Sequence, residues 1–471
     1  MNQDQLTSTV ILFLATAFGL VAADGETPSE YLRTPAFVLG IGIVFAMLVE
    51  SAGNLRNLVR ADWIAIVALY GLTLTEFLFD QPEFNERATL VEVERALWLF
   101  SIGFLSLVGG RHLFIANSAS AGINVTDLSP ALILTAFWLV VPLGFSAELL
   151  SVKFNLFEMI DSQMGPRFSQ PWSRGKIGGI YSLLYELGLF KYAIPAIAGV
   201  LTNYRKQIGI VHFCLVIVAM LFTLFFGFCS GTRNVFAAYL AGYAGTYLLT
   251  LPRLSWGRAS VVGAICAVVF LGASYYMLEF RQMGLKRFWQ NRDRVETRDT
   301  FYVDYNMWAI GKLGRLFPEP HQHLGVELYW HALTKPIPRV IWPSKPTDLS
   351  ISIEGALEVE GLTIATTFIG ESYMAFGELG VICTGLGLGF LCGWWNFVGT
   401  RMPGGYGQLV YASGFAAIAI AMRSLMFFTT NMLPTIGLVV VGMLLNQNIK
   451  QRRQRQPSQT LKPRRHRQSL R

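Results

Sequence analysis

The chain has 471 residues, of which 53% are hydrophobic and only 14% are charged, too little polar surface for a soluble globular protein of this length. Apolar runs of about 18 residues recur along it, and each is long enough to cross a hydrocarbon core of about 30 Å as a helix. The runs do not alternate apolar with polar residues, as barrel strands would. The composition therefore predicts an all-α, polytopic membrane protein.

The net charge of +8 comes entirely from the C-terminal tail. Residues 450–471 hold nine Lys or Arg and no acidic residue, which leaves 29 basic and 30 acidic residues in the rest of the chain. The basic excess therefore does not indicate a nucleic-acid partner. A tail of this kind is typical of a cytoplasmic anchor beside anionic lipid, with a cytoplasmic protein partner as the alternative.

In chain order, the apolar runs predict about twelve transmembrane helices. They lie near residues 6–23, 35–50, 62–79, 95–109, 130–150, 184–202, 207–228, 233–251, 260–278, 380–398, 406–425 and 432–449. The chain then divides into nine helices over 1–278, a long polar loop over 279–365, an interfacial helix with three further helices over 366–449, and the basic tail over 450–471.

Charges in the short connectors predict the orientation. If the tail is cytoplasmic and the helices number twelve, the N-terminus is cytoplasmic too. Connectors on that side carry basic residues such as Arg56, Arg111 and Arg401, whereas those on the other side carry acids such as Asp24 and Asp80. This is the positive-inside pattern, and it predicts that the long loop faces outward.

Basic side chains at the outer ends of the predicted helices are the most informative polar feature. Arg233 lies between the seventh and eighth helices, Arg423 lies near the end of the eleventh, and Arg339 and Lys345 lie in the long loop. Arginine at the edge of an apolar span is costly and is usually kept for a partner or a pathway. Its planar fork matches phosphate oxygens. The alternative is that each arginine snorkels to headgroups or pairs with an acid such as Glu371.

Carboxylates near the outer face are candidates for a general base. Glu371 and Glu378 lead into the tenth predicted helix, and Glu371 is the preferred candidate. Asp304 and Glu327 are less favoured. The alternative for Glu371 is a headgroup-level position on an interfacial helix.

A metal site is not expected. His321 and His323, with His331 downstream, have no carboxylate at a recognised zinc spacing. The five cysteines fall in apolar runs or at their edges, and no CxxC motif occurs, so the pattern indicates neither a zinc site nor a disulfide framework.

The arrangement resembles the bacterial O-antigen polymerases, also called oligosaccharide repeat-unit polymerases. The resemblance covers roughly the second half of the chain, where PR…P-x-KP and G-E-x-Y…FG…G motifs are similar to those of that family. Besides the predicted helix count and the single long outer loop, the residues that carry it are Gly231-Thr232-Arg233-Asn234, Pro338-Arg339, Lys345-Pro346, Thr366-Thr367-Phe368-Ile369-Gly370-Glu371-Ser372-Tyr373 and Phe376-Gly377-Glu378-Leu379-Gly380.

The resemblance implies an inverting C-type glycosyltransferase of the bacterial inner membrane that uses no metal or other cofactor. The donor would be a glycan on undecaprenyl diphosphate and the acceptor a single lipid-linked repeat unit. Arg233, Arg339, Lys345 and Arg423 would bind the diphosphate, and Glu371 would be the base. The implied partners are these lipid-linked oligosaccharides and membrane lipids, with a chain-length regulator as a further candidate.

Three other functions remain open at this point. An O-antigen ligase would share the topology and differ in its acceptor. A flippase or transporter for the lipid-linked oligosaccharide predicts charges at mid-membrane and similar halves, whereas the unusual charges here gather at one face. A structural component of a polysaccharide-export assembly would use the loop as a docking surface.

Overall fold

The structure, a computed structural model, describes residues 3–114, 123, 125, 127–173, 182–291, 304–339, 341–346, 349–359, 364–402 and 404–455. Within these ranges the chain forms α-helices and short 3-10 helices and no β-strand. The helices, numbered α1 to α22 in chain order, are Gln3–Val21, Pro28–Gly53, Ala61–Thr73, Pro82–Arg87, Leu90–Gly110, Pro130–Gly144, Ser146–Ser151, Leu156–Gln163, Ser182–Leu187, Ala193–Asn203, Arg205–Ile208, Ile210–Cys229, Arg233–Thr250, Trp256–Phe280, Leu285–Gln290, Asn306–Leu316, Glu327–Thr334, Ile353–Ala356, Thr367–Arg401, Gly404–Arg423, Phe428–Asn431 and Leu433–Arg455.

Seven described helices are long and apolar enough to cross a membrane, so the chain is an all-helical, multi-pass membrane protein. They are α1, α2, α12, α14, α19, α20 and the helix that spans Leu425–Gln447. The other five predicted spans coincide with helices that are shorter, are interrupted, or carry charged and polar residues. For example, α3 has 13 residues, and the run near 184–202 is divided between α9, a 3-10 turn and α10.

Polar residues define where the apolar helices begin. Thr27 caps α2 in a reciprocal capping box with Glu30, and Pro28 occupies the first helical position. Thr89 and Glu92 form the same box at the start of α5. Because these boxes satisfy backbone amides that have no partner inside the helix, each helix begins at a defined residue.

The core forms where α19 packs against α5 and α16, while α20 packs against α3 and α13. Small residues set the closest approach. A Cβ atom on Gly110 of α5 would lie 2.4 Å from the Leu386 carbonyl oxygen, and one on Gly389 of α19 would lie 2.3 Å from the Leu107 carbonyl oxygen. Glycine at both positions therefore lets the two backbones touch, as is usual for helices packed within a membrane.

A buried ionic cluster holds one end of the helical assembly. Arg111, just after α5, pairs with Glu50 of α2 at 2.9 Å and with Asp62 of α3 at 3.4 Å. Arg60 also bonds to both acids, and the Asn396 amide of α19 donates to Asp62. The three side chains of Arg111, Glu50 and Asp62 are at most 2% exposed. The cluster therefore ties four helices together at this end.

α19 contains a break at Phe376–Gly377, where the backbone leaves helical geometry. Gly377 adopts a φ of +63°, which favours glycine. The break leaves backbone carbonyls of the preceding turn without helical partners, and the amides of Leu324 and Gly325 donate to the carbonyls of Met374 and Ala375 at 2.9 Å. The segment before α17 is thereby fixed against the broken helix.

Part of the long polar loop is embedded in the helical core. In α16, Trp308, Ile310 and Leu313 are buried, and the helix packs on α5 and α19. A Cβ atom on Gly311 would lie 1.9 Å from the Glu92 carbonyl oxygen, so the two backbones are in direct contact. The described part of the predicted 279–365 loop therefore does not form a separate domain.

Candidate functional site

A polar cleft of about 40 Å³ lies at the opposite end of the helices from the ionic cluster. Helix α3 begins beside Asp62 of the cluster and leads at its far end to Glu76, which accepts a hydrogen bond from the cleft residue Asp304. The cleft is lined by Arg167, Gly231, Thr232, Arg233, Asn234, Arg281, Asp304, Asn306, Ala365 and Arg423. Four arginines from distant parts of the chain thus meet at one site.

Helix termini position three of the four arginines. Arg233 is the first residue of α13, Arg281 directly follows α14, and Arg423 is the last residue of α20. Gly231 precedes α13 with a φ of +62°, and a Cβ atom there would lie 3.1 Å from Cγ of Arg281. Glycine at this position therefore permits both the turn and the close approach of Arg281.

The fourth arginine is held by backbone contacts between two segments. The Arg167 amide donates to the Arg281 carbonyl at 3.3 Å, and the Lys286 amide donates to the Met164 carbonyl at 3.1 Å. The Arg167 guanidinium lies 4.5 Å from the ring centroid of Phe168, a cation–π distance. These contacts place Arg167 and Arg281 on the same wall.

The cleft carries a strong excess of positive charge. Among its described lining residues, four are arginines and Asp304 is the only acid. Arg423 interacts electrostatically with both Arg233 and Arg281. The N-terminus of α13 adds partial positive charge at Arg233. Like charges gathered at a partly desolvated site favour an anionic ligand that bridges them.

Two acids lie side by side at the edge of the cleft. Asp304 pairs with Arg233, and its amide donates to Oε2 of Glu76 at 2.8 Å. Glu76 lies in a 3-10 turn beyond the end of α3, and its Oε1 has no hydrogen-bond partner among the described residues. Burial, and then the charge of Asp304, raise the pKa of Glu76 to about 8. The protonated form of Glu76 is therefore favoured at neutral pH.

Glu371 lies in the interior rather than on the described wall of the cleft. Its side chain is 1% exposed. One oxygen accepts from the Ser424 hydroxyl at 2.5 Å, and the other accepts from the Leu425 amide at 2.6 Å. These two residues directly follow Arg423. In this geometry Glu371 anchors the chain beside Arg423 and offers no access to a substrate hydroxyl.

Arg339 and Lys345, the two loop residues expected to bind diphosphate, are not among the described lining residues. Arg339 is exposed. The Lys345 ammonium donates to the carbonyls of Lys335 and Ile337 at 2.8 and 3.0 Å. It thereby closes its own loop, because an ammonium group satisfies exposed carbonyls well. Of the four predicted phosphate-binding residues, the structure brings together Arg233 and Arg423.

The histidines of the loop pack on aromatic rings. His321 and His323 both lie against Phe317, at centroid distances of 5.6 and 6.0 Å, and His323 also meets Tyr373 edge-on. Among the described residues, no three His, Cys, Asp or Glu side chains are grouped as a metal site would require.

An apolar groove of about 770 Å³ lies next to the anchored segment. Its walls come from α17, from α19 after the break, and from the turn that follows α20, with lining residues that include Tyr329, Leu333, Phe376, Leu379, Cys383, Leu388, Leu391, Leu425 and Phe428. Arg423 lines the cleft and Leu425 lines the groove. Along the chain, only Ser424 separates a residue of the polar site from a residue of the apolar site.

The sequence interpretation missed Arg167 and Arg281 as site residues. Arg281 has the same signal as Arg423, since it stands at the end of an apolar run. Arg167 has no such local signal, because only the pairing of its segment with the end of α14 brings it to the cleft.

Comparison with protein-family models, curated proteins and solved structures finds no match for this chain. The functional argument therefore rests on the residues and on their arrangement.

Proposed function

We propose that this protein polymerises oligosaccharide repeat units carried on undecaprenyl diphosphate, as a glycosyltransferase of the bacterial inner membrane. The observation that carries the proposal is the four-arginine cleft beside an apolar groove. A lipid diphosphate consists of an anionic diphosphate joined directly to an apolar chain, and these two parts match the cleft and the groove. The family resemblance of the Arg233 region and of the motif around Glu371 supports the same conclusion.

The cleft binds the diphosphate and the groove binds the adjoining polyisoprenoid. Guanidinium groups form charge-assisted, bidentate bonds with phosphate oxygens. The groove is lined almost wholly by apolar side chains, and each buried CH₂ group of a chain contributes about 0.8 kcal/mol. Arg423 of the cleft and Leu425 of the groove are separated by one residue, so in this proposal one ligand extends from the cleft to the groove.

The same arginines promote the reaction. The acceptor hydroxyl attacks the anomeric carbon of the donor from the side opposite the diphosphate, which inverts the configuration. Negative charge develops on the departing diphosphate, and fixed positive groups stabilise it more strongly in a partly desolvated site than in water. In this proposal the donor is the growing glycan and the acceptor is a single lipid-linked unit.

The cleft faces the periplasm in this proposal, with both termini in the cytoplasm. The argument comes from the connectors. Arg56, Arg253 and Arg401 belong to connectors or helix ends on the side of the ionic cluster, remote from the cleft. Basic residues gather on the cytoplasmic side of membrane proteins, so the cluster end lies inside and the cleft end outside.

Deletion of the gene, followed by gel analysis of surface polysaccharide, tests the proposal. We expect the ladder of long chains to collapse to a single repeat unit. Accumulation of finished glycan that is not joined to the lipid core would indicate a ligase. Repeat units retained inside the cell would indicate a flippase. Either of these results contradicts polymerisation.

Replacing Arg233 or Arg423 with Ala should lower the rate of chain extension by about 100-fold or more, because one group that stabilises the leaving diphosphate is lost. Extension is measured with purified protein and lipid-linked repeat units. Arg253→Ala is the matched control, since Arg253 is exposed and lies in the connector after α13. Equal rates for Arg233→Ala, Arg423→Ala and the control would refute the diphosphate role.

A further inference from the structure

The Asp304 carboxylate is accessible from the cleft, as a group that accepts a proton from a substrate must be. Its side chain is 36% exposed and lines the cleft. It faces Arg233 in an ion pair and also interacts with Arg423. By contrast, both oxygens of Glu371 are occupied by Ser424 and Leu425 inside the protein. Of the acids considered from the sequence, Asp304 is the one that lines the cleft.

The neighbouring acid, Glu76, fixes the position of Asp304. The Glu76 carboxyl accepts the Asp304 amide at 2.8 Å and so fixes the backbone at the rim of the cleft. Glu76 is buried, with one oxygen unpartnered among the described residues. Burial and the neighbouring Asp304 both favour the protonated form of Glu76.

We propose that Asp304 accepts the proton of the attacking sugar hydroxyl. This inference rests on the proposed function and assigns the base within it. The O–H bond breaks as its proton passes to a carboxylate oxygen of Asp304. The hydroxyl oxygen then forms the new bond to the anomeric carbon, while the carbon–oxygen bond to the diphosphate breaks. The electron pair of that bond leaves with the diphosphate, so the step is redox-neutral and balanced.

Substrate binding prepares Asp304 for this role. In the free protein Arg233 pairs with Asp304, so the guanidinium competes with a substrate hydroxyl for this carboxylate. A diphosphate in the cleft competes for the same guanidinium with more negative charge. Once Arg233 turns to the phosphate oxygens, the Asp304 carboxylate becomes available to the hydroxyl. Base activity is thereby coupled to occupancy of the cleft.

The test uses the purified full-length protein with Asp304→Asn and Asp304→Glu. Two quantities are measured: binding of undecaprenyl diphosphate, and extension of lipid-linked repeat units as a function of pH. We expect Asp304→Asn to lose at least about 100-fold in extension rate and to bind undecaprenyl diphosphate as tightly as wild type or more tightly, because a competing carboxylate is gone. Asp304→Glu should keep part of the rate.

Glu158→Gln is the matched control, since Glu158 is exposed on α8 and does not line the cleft. Extension by Asp304→Asn within threefold of this control, taken as about the experimental scatter of such rates, would overturn the assignment. So would a parallel loss of binding and extension, which indicates a structural role. If wild type neither binds undecaprenyl diphosphate nor extends chains, the proposed function itself fails, and the assignment fails with it.

Discussion

The chemistry of the cleft depends on which groups its individual side chains contact. The four guanidinium groups lie together only because α13, α14 and α20 end there, and Asp304 is the acid that partly neutralises them. Glu371 reaches the site indirectly. Its carboxylate holds the Ser424 hydroxyl and the Leu425 amide, and so fixes the backbone that carries Arg423. We therefore treat Glu371 as a positioning residue.

Replacing Glu371 with Ala should leave two buried donors unsatisfied and destabilise the protein by about 1–3 kcal/mol. Binding of undecaprenyl diphosphate should weaken at the same time, because Arg423 loses its support. Glu371→Gln should largely restore both, since an amide serves the same two partners. Thermal unfolding in detergent and a binding titration measure these effects. A Glu371→Gln protein that binds normally but does not extend chains would instead identify Glu371 as the base.

At the scale of helices, the two ends of the protein use charge differently. The cluster of Arg60, Arg111, Glu50 and Asp62 balances two basic groups against two acids, in a web of short contacts that includes Asn396. The cleft has four basic groups and one acid among its described lining residues. The ionic cluster, with equal numbers of basic and acidic groups, is suited to holding helices together. The cleft, with its excess of basic groups, is suited to binding an anion.

Arg111→Met should destabilise the protein by about 3–5 kcal/mol, because it leaves Glu50 and Asp62 buried with less compensating charge. The matched control is Arg33→Met, which breaks an exposed pair with Asp80 and should cost about 1 kcal/mol or less. The midpoints of thermal unfolding in detergent report both values. Similar midpoints for the two variants would mean that the cluster does not hold the helices.

At the scale of the whole molecule, the main question is on which side of the membrane the cleft opens. In the proposed orientation the cleft opens to the periplasm, because basic connectors are expected on the cytoplasmic side. The long loop belongs to that end, because α16 follows Asp304 and packs into the core, and the segment before α17 closes the break in α19. The loop therefore forms part of the wall around the site.

A cysteine at Ser344, an exposed residue of the loop, should react with a membrane-impermeant thiol reagent in intact cells. A cysteine at Gly257 is the control, since Gly257 is exposed near the start of α14 and a Cβ atom there meets nothing within 4 Å. It should react only after the membrane is permeabilised, with wild type as the background. The reverse labelling pattern would contradict the assigned orientation.

The sequence predicted the class of protein and part of the site. Arg233 and Arg423 were found because an arginine at the end of an apolar run is a local signal. Arg339 and Lys345 were predicted to join them because they belong to the same polar loop. The structure instead leaves Arg339 exposed and turns Lys345 back onto its own loop carbonyls. Residues 456–471 of the basic tail lie outside the described residues.

By itself, the sequence determined that the chain is helical and crosses a membrane, because long apolar runs have no other stable arrangement in lipid. It also determined that basic side chains stand at the helix ends. Only the tertiary structure decided which of them meet. That choice depends on contacts between distant segments, such as Gly110 and Gly389 between α5 and α19 and the pairing of Arg167 with Arg281. Contacts of this kind leave no periodic signal in the chain, since each depends on where another segment lies.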